Sequence, residues 1–375
     1  MRGPRRIALV HDWLVRMRGG EKCLEALCEV FPEAEIFTLV HKPGSVSRLI
    51  EKRPIHTSFL QSMPRSAERY QYYLPLFPAA IARLHPEGFD CAVSVSASVA
   101  KAIPTPANTL HVCYCNTPMR YLWDQFDEYF GRGRAGLATR LAMAALRRPL
   151  QRWDVRTAAS PHFFIGNSIN VRRRIERIYG RPAEVIYPPV ETGRFPLSTR
   201  DDGFFLIVSA LVPYKRVDLA LEAVKKTGDR LVIIGEGQEM DSLRARAGPN
   251  VEFLGWRSTD EIRDYYGACS AVLFPGEEDF GIVPVEAMAS GKPVVAYARG
   301  GALETVMETP TLRTGVLFGK QTVDAMVGGL RKVRETRFEP SKLRTFALGF
   351  DREIYKEKMR SFIAAKWDLF NREDA

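Results

Sequence analysis

Cysteine is scarce in this chain and shows no spacing typical of disulfides. The 375 residues contain six cysteines, at Cys23, Cys28, Cys91, Cys113, Cys115 and Cys269. Small secreted domains that depend on disulfides carry a denser and more regular set. The pattern excludes a disulfide scaffold, and we expect six reduced thiols in a cytosolic protein.

Long apolar runs are also missing. No segment approaches the roughly 18 apolar residues that a membrane-spanning helix needs. The basic N-terminal segment is followed by a short apolar run, from Ile7 to Val10, before His11 and Asp12. That run is too short for the apolar region of a secretory signal. We therefore expect a protein that is soluble or peripheral to a membrane.

Acidic residues are too few to balance the basic ones. The chain has 54 lysines and arginines against 44 acids, for a net charge of +10. Such an excess points to an anionic partner. Since no recognised nucleic-acid motif is present, we expect an anionic membrane surface or an anionic ligand, and no nucleic acid.

The segment 132–156 concentrates this charge, with seven arginines interleaved with leucines and alanines. One interpretation is an amphipathic basic helix that lies on an anionic bilayer. The other is a core helix whose basic face is solvated. In either case we expect Pro149 to break the helix, because proline lacks the backbone N–H.

Short apolar segments alternate with helical patterns along the whole chain. The predicted strands lack polar alternation, which is typical of parallel sheets buried on both faces. A chain of this length favours two domains, and Pro188–Pro189 is the natural hinge. We predict an α/β fold with two Rossmann-like doubly wound domains, residues 1–188 and 189–345, and a helical tail over 343–369.

The segment 274–295 contains the main candidate site. It predicts a strand end, an acidic loop, a helix and a second strand. The amides of Phe280, Gly281 and Ile282 would lie at the positive end of that helix, where anions bind. Glu278 on the loop and Glu286 inside the helix are both expected to face a ligand at the carboxyl end of the sheet. Alternatively, each acid is simply solvated.

Two glycine pairs accompany turns between strands and helices. Gly19 and Gly20 precede the first predicted helix, where a phosphate can approach the backbone amides. A plain tight turn is the alternative. Gly235 and Gly237 follow a predicted strand and match half of a dinucleotide fingerprint, which is a weak signal alone.

Two cations, Lys215 and Arg216, lie between a predicted strand and helix. A lysine point charge and an arginine fork both suit phosphate oxygens, although a solvated loop would carry the same residues. The acidic pair Asp201 and Asp202 precedes a strand and is interpreted as a solvated turn. We therefore predict no metal site.

Together these motifs are more specific than any of them alone. Glu278 and Glu286 enclose Phe280–Gly281, PVEAMASGKPVVA follows, and then Gly300–Gly301 with Glu304. This pattern resembles the signature of family 4 retaining glycosyltransferases of GT-B fold, whose two Rossmann-like domains face each other across a cleft. The resemblance implies that Glu278 contacts the donor sugar and that Glu286 holds the nucleotide ribose.

The same resemblance assigns the remaining donor-side residues. Lys215 matches the family lysine, but Ala210 stands where an arginine is common. Either Arg216 replaces that charge or the diphosphate is held by one cation fewer. The implied nucleotide and phosphate contacts are Gly235, Gly237, Gly19 and Gly20. The last segment, 346–375, is implied to cross back to the first domain.

The segment 113–126 is similar to bacterial mannosyltransferases that build polysaccharides or O-antigen on lipid carriers. Their motif HTPMRYxWD places Arg120, Tyr121 and Trp123 in the acceptor site, with Asn116 where histidine is usual. Asparagine can hydrogen-bond but cannot exchange a proton at neutral pH. His11 remains a catalytic candidate, or else a buried structural histidine.

The sequence therefore predicts a retaining, metal-independent glycosyltransferase without a cofactor. The expected donor is GDP-mannose, with UDP-glucose or UDP-N-acetylglucosamine as alternatives. The expected acceptor is a lipid-linked saccharide of cell-surface polysaccharide or lipopolysaccharide synthesis, at the cytoplasmic face of the cell membrane. Two rivals are a nicotinamide-dependent oxidoreductase, which lacks its full fingerprint here, and an inactive GT-B scaffold that binds membranes or proteins.

Overall fold

The computed structural model describes residues 3–131 and 136–373. The contacts between residues divide the chain into two compact units. Unit 1 comprises Met1–Pro189 and Glu353–Ala375, and unit 2 comprises Val190–Arg352. The chain therefore enters unit 2 directly after Pro189 and returns to unit 1 at Glu353.

Unit 1 is built around a parallel sheet. Its strands are short and apolar, as is typical of a parallel sheet whose two faces are both buried by helices. The strands are β1 (Ile7–His11), β2 (Glu35–Thr38), β3 (Ile55–Thr57), β4 (Cys91–Ser96), β5 (Leu110–Cys115), β6 (Phe163–Gly166) and β7 (Ala183–Val185). The helices before unit 2 are α1 (Gly19–Val30), α2 (Arg48–Glu51), α3 (Ser66–Arg69), α4 (Phe77–Ile81), α5 (Phe126–Phe130), α6 (Leu137–Thr157) and α7 (Ile169–Tyr179). The spatial order of the strands is β3-β2-β1-β4-β5-β6-β7.

Unit 2 repeats the same plan with a six-stranded parallel sheet over its described residues. The strands are β8 (Phe204–Val208), β9 (Arg230–Ile234), β10 (Val251–Gly255), β11 (Ala271–Phe274), β12 (Val294–Tyr297) and β13 (Gly315–Phe318). The helices are α8 (Val217–Thr227), α9 (Met240–Arg246), α10 (Thr259–Ala268), α11 (Ile282–Ala289), α12 (Ala302–Thr305), α13 (Val323–Glu335) and α14 (Pro340–Leu348). The spatial order of the strands is β10-β9-β8-β11-β12-β13.

Both sheets reverse their strand order at one point. In unit 1 the reversal lies between β1 and β4, and in unit 2 between β8 and β11. The strand pairs at these two points, β1 with β4 and β8 with β11, are parallel. In open α/β sheets, ligands bind outside the carboxyl ends of the strands at such a reversal. The predicted doubly wound fold is confirmed, and it directs attention to the loops after these four strands.

The last helix of the chain, α15 (Arg352–Glu373), completes the core of unit 1. Tyr355, Met359, Phe362 and Ile363 are buried in the same cluster as Leu24 and Leu27 of α1. Their spacing of four, three and one positions places them on one side of a helix. They cover the sheet face to which Leu9 points, and a second cluster with Val10 lies on the other face.

The prediction that Pro149 breaks the arginine-rich helix is wrong. The helix α6 continues through Pro149 and ends at Thr157. Proline removes one intrahelical hydrogen bond, but packing holds the helix on both sides of it. Met143 before the proline and Leu150 after it are buried in one core cluster.

The predicted helical tail over 343–369 consists of two helices, α14 and α15. The chain leaves the helical path between α14 and α15 because its backbone pairs there with Val190. The Val190 amide donates to the Phe350 carbonyl at 3.2 Å, and the Arg352 amide donates to the Val190 carbonyl at 2.9 Å. This pairing stands at the point where the chain passes from unit 2 to unit 1.

Candidate active site

The main candidate site lies at the strand reversal of unit 2, where the loops after β8 and β11 meet. Lys215 ends the first loop and Glu278 lies in the second, 63 positions later. The Lys215 ammonium donates a hydrogen bond to the Glu278 carboxylate. Their side chains are 15% and 21% exposed, so both remain within reach of a ligand. The structure brings these two predicted residues together.

Backbone contacts hold the Glu278 loop in place. The Gly301 amide donates to the Glu278 carbonyl at 2.8 Å, and Glu278 pairs with Gly300 in a parallel bridge. A Cβ on Gly301 would overlap the backbone of Phe280. The Gly300–Gly301 pair therefore allows the close approach that fixes the loop.

Gly281 connects this loop to α11. Its φ of +87° belongs to the region that favours glycine, and α11 begins at the next residue, Ile282. Phe280 is buried beside it. The predicted group of Phe280, Gly281 and Ile282 therefore forms the start of a helix, whose N-terminal end attracts anions.

Glu286 has a different environment from Glu278. It is buried inside α11, and its carboxylate accepts a hydrogen bond from the Tyr266 hydroxyl at 3.0 Å. Burial and the nearby Glu286 charge raise the pKa of Tyr266 well above its usual value, so the hydroxyl stays protonated and donates. Sequence reasoning missed Tyr266, because nothing in its local pattern distinguishes it from a core tyrosine.

Arg216 follows Lys215 but has other partners. Its backbone is left-handed, with φ +53°, and its guanidinium donates to Asp218 at 3.1 Å and to Gln321 at 3.3 Å. Gln321 in turn donates to the Pro275 carbonyl at 2.9 Å. Lys215 is therefore the cation on Glu278, and the replacement of the family arginine by Arg216 stays a prediction. Ala210, at that arginine position, is exposed.

Gly235 and Gly237 follow β9 and pack against the segment after β8. A Cβ on Gly235 would overlap the Ser209 carbonyl, and one on Gly237 would overlap the Leu211 carbonyl. The Leu211 amide donates to the Glu236 carbonyl at 2.9 Å across the same contact. Backbone packing explains both glycines, and their contact with a nucleotide stays a prediction.

Unit 1 has its own group of predicted site residues, at its strand reversal. His11 ends β1 and is buried, and in the described part of the chain neither ring nitrogen has a hydrogen-bond partner. A Cβ on Gly20 would lie 3.2 Å from His11 Nε2 and 3.2 Å from Asn116 Nδ2. The structure thus gathers His11, Gly20 and Asn116 at the first turn of α1. Gly19 and Gly20 are the first residues of that helix rather than part of the preceding loop.

Asp12 anchors this region and was missed as a site residue. Its carboxylate accepts hydrogen bonds from four successive amides after β4, those of Ala97, Ser98, Val99 and Ala100, at 2.7, 2.9, 2.7 and 2.7 Å. Charge-assisted bonds of this kind are stronger than neutral ones. Asp12 therefore ties the end of β1 to the loop after β4. An acid directly after a buried strand was the available signal.

The predicted acceptor residues divide into two groups. Asn116 lies beside His11 and Gly20, whereas Tyr121 and Trp123 use their polar atoms within unit 1. The Tyr121 hydroxyl lies 2.7 Å from the Ser98 hydroxyl, and the Trp123 indole donates to Asp154 at 2.8 Å. Burial raises the pKa of Tyr121, so its hydroxyl stays protonated. Arg120 is half-buried beside them.

Asp154 is itself part of a buried charged pair. It lies 2.8 Å from the Lys101 ammonium, and both side chains are almost fully buried. The Tyr179 hydroxyl donates to the same carboxylate at 3.1 Å. Since a buried carboxylate needs such partners to be tolerated, Trp123 serves the interior of unit 1.

Within residues 3–131 and 136–373, no group of three or more His, Cys, Asp or Glu is placed to hold a metal ion. Asp201 accepts hydrogen bonds from the Gly203 amide and the Ser270 hydroxyl, and Asp202 pairs with Arg200. Both precede β8, at the sheet edge opposite to Lys215. The six cysteines are buried, and none of them forms a disulfide with another described residue. Among the described helices, none has the length and apolar character needed to cross a bilayer.

Known glycosyltransferases are similar to parts of this chain. Residues 191–347, nearly all of unit 2, match the family model of Glycosyl transferases group 1. A GDP-mannose-dependent alpha-(1-6)-phosphatidylinositol monomannoside mannosyltransferase of Mycobacterium tuberculosis is 29% identical over 225 residues, covering 52% of this chain and 56% of the relative. An uncharacterized glycosyltransferase of Methanocaldococcus jannaschii is 36% identical over 113 residues, covering 29% and 32%. The chain thus spans about half or less of these curated relatives.

Solved structures match over almost the whole chain. The lipopolysaccharide outer core galactosyltransferase WaaB has a TM-score of 0.67 at 16% identity, covering 96% of this chain and 99% of that chain. Anabaena HepE in complex with UDP-glucose has a TM-score of 0.68 at 19% identity, with coverage of 96% and 99%. This likeness shows the GT-B fold that the sequence predicted.

Proposed function

We propose that this chain is a glycosyltransferase that moves a sugar from a nucleoside-diphosphate sugar to a saccharide acceptor. The match of unit 2 to Glycosyl transferases group 1 and the GT-B fold support this proposal. The observation that carries it is the contact between Lys215 and Glu278 at the strand reversal of unit 2, next to the start of α11.

The chemistry explains why this contact matters. When the bond between the sugar carbon C1 and the phosphate oxygen breaks, negative charge develops on the departing diphosphate. A cation and a helix N-terminus aimed at that charge stabilise the transition state. Lys215 and the α11 start supply both, and they do so without a metal. Glu278, held beside Lys215, is available for the hydroxyls of the transferred sugar.

The proposed reaction is retaining, with the acceptor entering on the side from which the diphosphate leaves. The acceptor oxygen bonds to C1, the C1–O bond to the diphosphate breaks, and the acceptor proton passes to a diphosphate oxygen. Glu286 would hold the ribose hydroxyls. His11, Gly19, Gly20 and Asn116 would line the phosphates or the acceptor. No cofactor is consumed.

We further propose GDP-mannose as the donor and a lipid-linked saccharide as the acceptor. The mycobacterial relative is named as GDP-mannose-dependent, and the segment 113–126 carries the similarity to polysaccharide mannosyltransferases. The alternative of a UDP-sugar is supported by the fold neighbour that was solved with UDP-glucose. A lipid-linked acceptor would bring the protein to the cytoplasmic face of a membrane with anionic lipids.

The first test is thermal stabilisation of the full chain by GDP, UDP, ADP and NAD at equal concentration. A ligand that binds only the folded state raises the Tm, by an amount equivalent to about 2.7 kcal/mol at 100 times its Kd. We expect GDP to give the largest shift, and Lys215→Ala to reduce it. Lys225→Ala, an exposed lysine on α8, is the matched control and should leave the shift intact.

Each other outcome is informative. A selective shift with UDP would change the donor and keep the reaction. A shift with NAD alone would refute the glycosyltransferase proposal. The chain could also bind GDP and yet release no GDP from GDP-mannose when lipid-linked saccharides are offered as acceptors. This result would favour the inactive scaffold. Asn116 and Ala210, where the chain departs from the family pattern, would then be the residues to examine.

A further inference from the structure

The helix α6 has an outward face that the packing of unit 1 leaves uncovered. Its inward side is anchored by Met143, Leu150 and Asp154. The outward side carries, at helical spacing, Leu137, Leu141, Ala144, Ala145, Arg148, Arg152, Val155 and Arg156, all of which are exposed. Residues three and four positions apart share one face of a helix. We call this set the α6 outward face.

The first half of the α6 outward face is apolar. Leu137 and Leu141 are 66% and 64% exposed, far more than the core leucines of the same unit. Packing against residues 3–131 and 136–373 does not account for them, because the helix is already held by residues on its other side. Two neighbouring exposed leucines of this kind fit an apolar environment outside the protein.

The second half of the face is basic and lines a groove. Arg148, Arg152 and Arg156 border a shallow cavity of about 430 Å³ together with Trp123, Gln151 and Val155. No carboxylate lines it. Asp154 is the sole acid of α6, and it is buried against Lys101. Over the described residues none of these three arginines forms an ion pair, so their charge is available to an external anion.

The other arginines of the segment have different roles. Arg147 donates to the carbonyls of Leu122 and Trp123 at 3.0 and 3.3 Å and lies over the Phe126 ring at 4.3 Å. It therefore belongs to the interior of unit 1. Arg140 is only half-exposed, and Arg132 and Arg134 lie outside the described residues. The two sequence interpretations of the segment thus apply to opposite sides of one helix.

We infer that the α6 outward face docks on an anionic lipid bilayer. Arg148, Arg152 and Arg156 bind the phosphate of a lipid headgroup in the groove, next to Trp123. Leu137 and Leu141 enter the boundary between headgroups and acyl chains. The inference identifies the residues that would contact the membrane in the proposed function. It rests on the proposed function only for its biological setting.

The two halves of the face together select a bilayer over a nucleic acid. Arginine forks bind phosphates of either partner, but a nucleic acid offers no apolar layer to two exposed leucines. A helix with apolar and basic residues lies in the plane of an anionic bilayer and buries its apolar residues about 5–10 Å deep. Trp123 contributes its ring to the lining of the same groove, while its indole N–H donates to Asp154.

The test is sedimentation of the full chain with vesicles of phosphatidylcholine that contain roughly 30% of the anionic lipid phosphatidylglycerol, because anionic lipids give the vesicle a negative surface potential. We expect wild-type binding that weakens as salt rises, because salt screens surface charge. The triple variant Arg148→Gln, Arg152→Gln, Arg156→Gln should bind about 100-fold more weakly, since each basic residue near the surface contributes roughly a fivefold effect.

Matched control variants distinguish the contribution of the α6 outward face from that of the net charge of the protein. Arg173→Gln, Lys358→Gln, Arg360→Gln removes three exposed cations of unit 1 elsewhere and should reduce binding much less. Leu137→Gln, Leu141→Gln keeps all charges and should weaken binding at least about tenfold, from the loss of two apolar side chains. Glutamine preserves helix propensity in all three variants, and circular dichroism with the Tm checks the fold.

Several results would overturn the inference. If the wild-type chain bound vesicles of phosphatidylcholine alone as tightly as anionic vesicles, the arginines would not contribute to membrane binding. If both triple variants lost vesicle binding equally, the binding would depend on the net charge of the protein and not on the α6 outward face. Tighter binding to a single-stranded oligonucleotide than to vesicles would assign the arginines to nucleic acid, and full competition by millimolar inorganic pyrophosphate would assign the groove to a soluble anion. None of these assays needs donor or turnover, so the proposed function can fail independently.

Discussion

Glu278 and Glu286 belong to one sequence pattern, yet their environments differ. Glu278 is partly exposed on a loop and pairs with Lys215, whereas Glu286 is buried in α11 and accepts from Tyr266. A carboxylate that accepts from one cation can exchange that partner for a ligand. One held by a buried hydroxyl is a fixed acceptor. The two acids are thus suited to different tasks, and Glu278 is the one that can respond to the donor.

Glu278→Gln tests this at the residue scale. The change keeps the shape of the side chain and removes its charge. If Glu278 orients the transferred sugar, kcat should fall by about 100-fold or more, the size of effect that misplacement of a reacting group produces. The Tm should change little, because partly exposed ion pairs contribute about 0–1 kcal/mol. Steady-state kinetics and thermal unfolding provide the two measurements.

Glu277→Gln is the matched control, since Glu277 is the exposed neighbour on the same loop. It should retain normal kcat. An unchanged kcat in Glu278→Gln would remove this residue from the reaction, and a large fall in Tm would show that its role is structural.

Among the elements, α13 shows how packing decides the effect of one residue type. Gly328 and Gly329 are adjacent in this helix, and helical pattern alone treats them alike. A Cβ on Gly328 would meet nothing within 4 Å, whereas one on Gly329 would lie 2.9 Å from Val295 Cγ1 of β12. Gly329 thus lets the helix approach the sheet, and Gly328 has no such role.

Opposite effects on stability should follow from the two alanine substitutions. Gly328→Ala should stabilise unit 2 by about 0.5–1 kcal/mol, because alanine is the better helix former and restricts the unfolded chain. Gly329→Ala should destabilise it by about 1–3 kcal/mol through overpacking. Urea unfolding of each variant measures both, and shifts of the same sign would contradict the packing argument.

At the scale of the whole molecule, unit 1 is built from two distant parts of the chain. The first 189 residues form the sheet, and α15 returns to cover one face with Tyr355, Met359, Phe362 and Ile363. Burial of four such side chains contributes about 6–12 kcal/mol, which is comparable with the net stability of an ordinary domain. Unit 1 therefore depends on α15, and unit 2 is one continuous segment.

Truncation after Arg352 tests this dependence. We expect unit 1 to lose its cooperative unfolding and to be digested rapidly by trypsin, while a fragment close to residues 190–352 persists. Removal of only residues 372–375 should be neutral, because Arg372 is exposed at the helix end. Intact unit 1 after the larger truncation, seen by limited proteolysis and mass spectrometry, would show that α15 is dispensable.

The sequence by itself determined the fold class and the positions of several site residues. Strand and helix periods, turn glycines and the resemblance at 274–295 are local signals. They can be recognised in the sequence without knowing which distant residues come into contact. The predicted alternation of short apolar strands with helices runs through both units of the structure. Lys215 and Glu278 were named from such local signals.

Only the tertiary structure decided which groups meet. Lys215 contacts Glu278, which lies 63 positions later in the chain. The Asp12 carboxylate accepts hydrogen bonds from the amides after β4, and the Tyr266 hydroxyl donates to Glu286. Packing on both sides of Pro149 kept α6 continuous, and it left the leucines and arginines of the α6 outward face uncovered. Each of these outcomes depends on the register between elements that are far apart in the chain. That register is set by long-range burial, which local patterns do not encode.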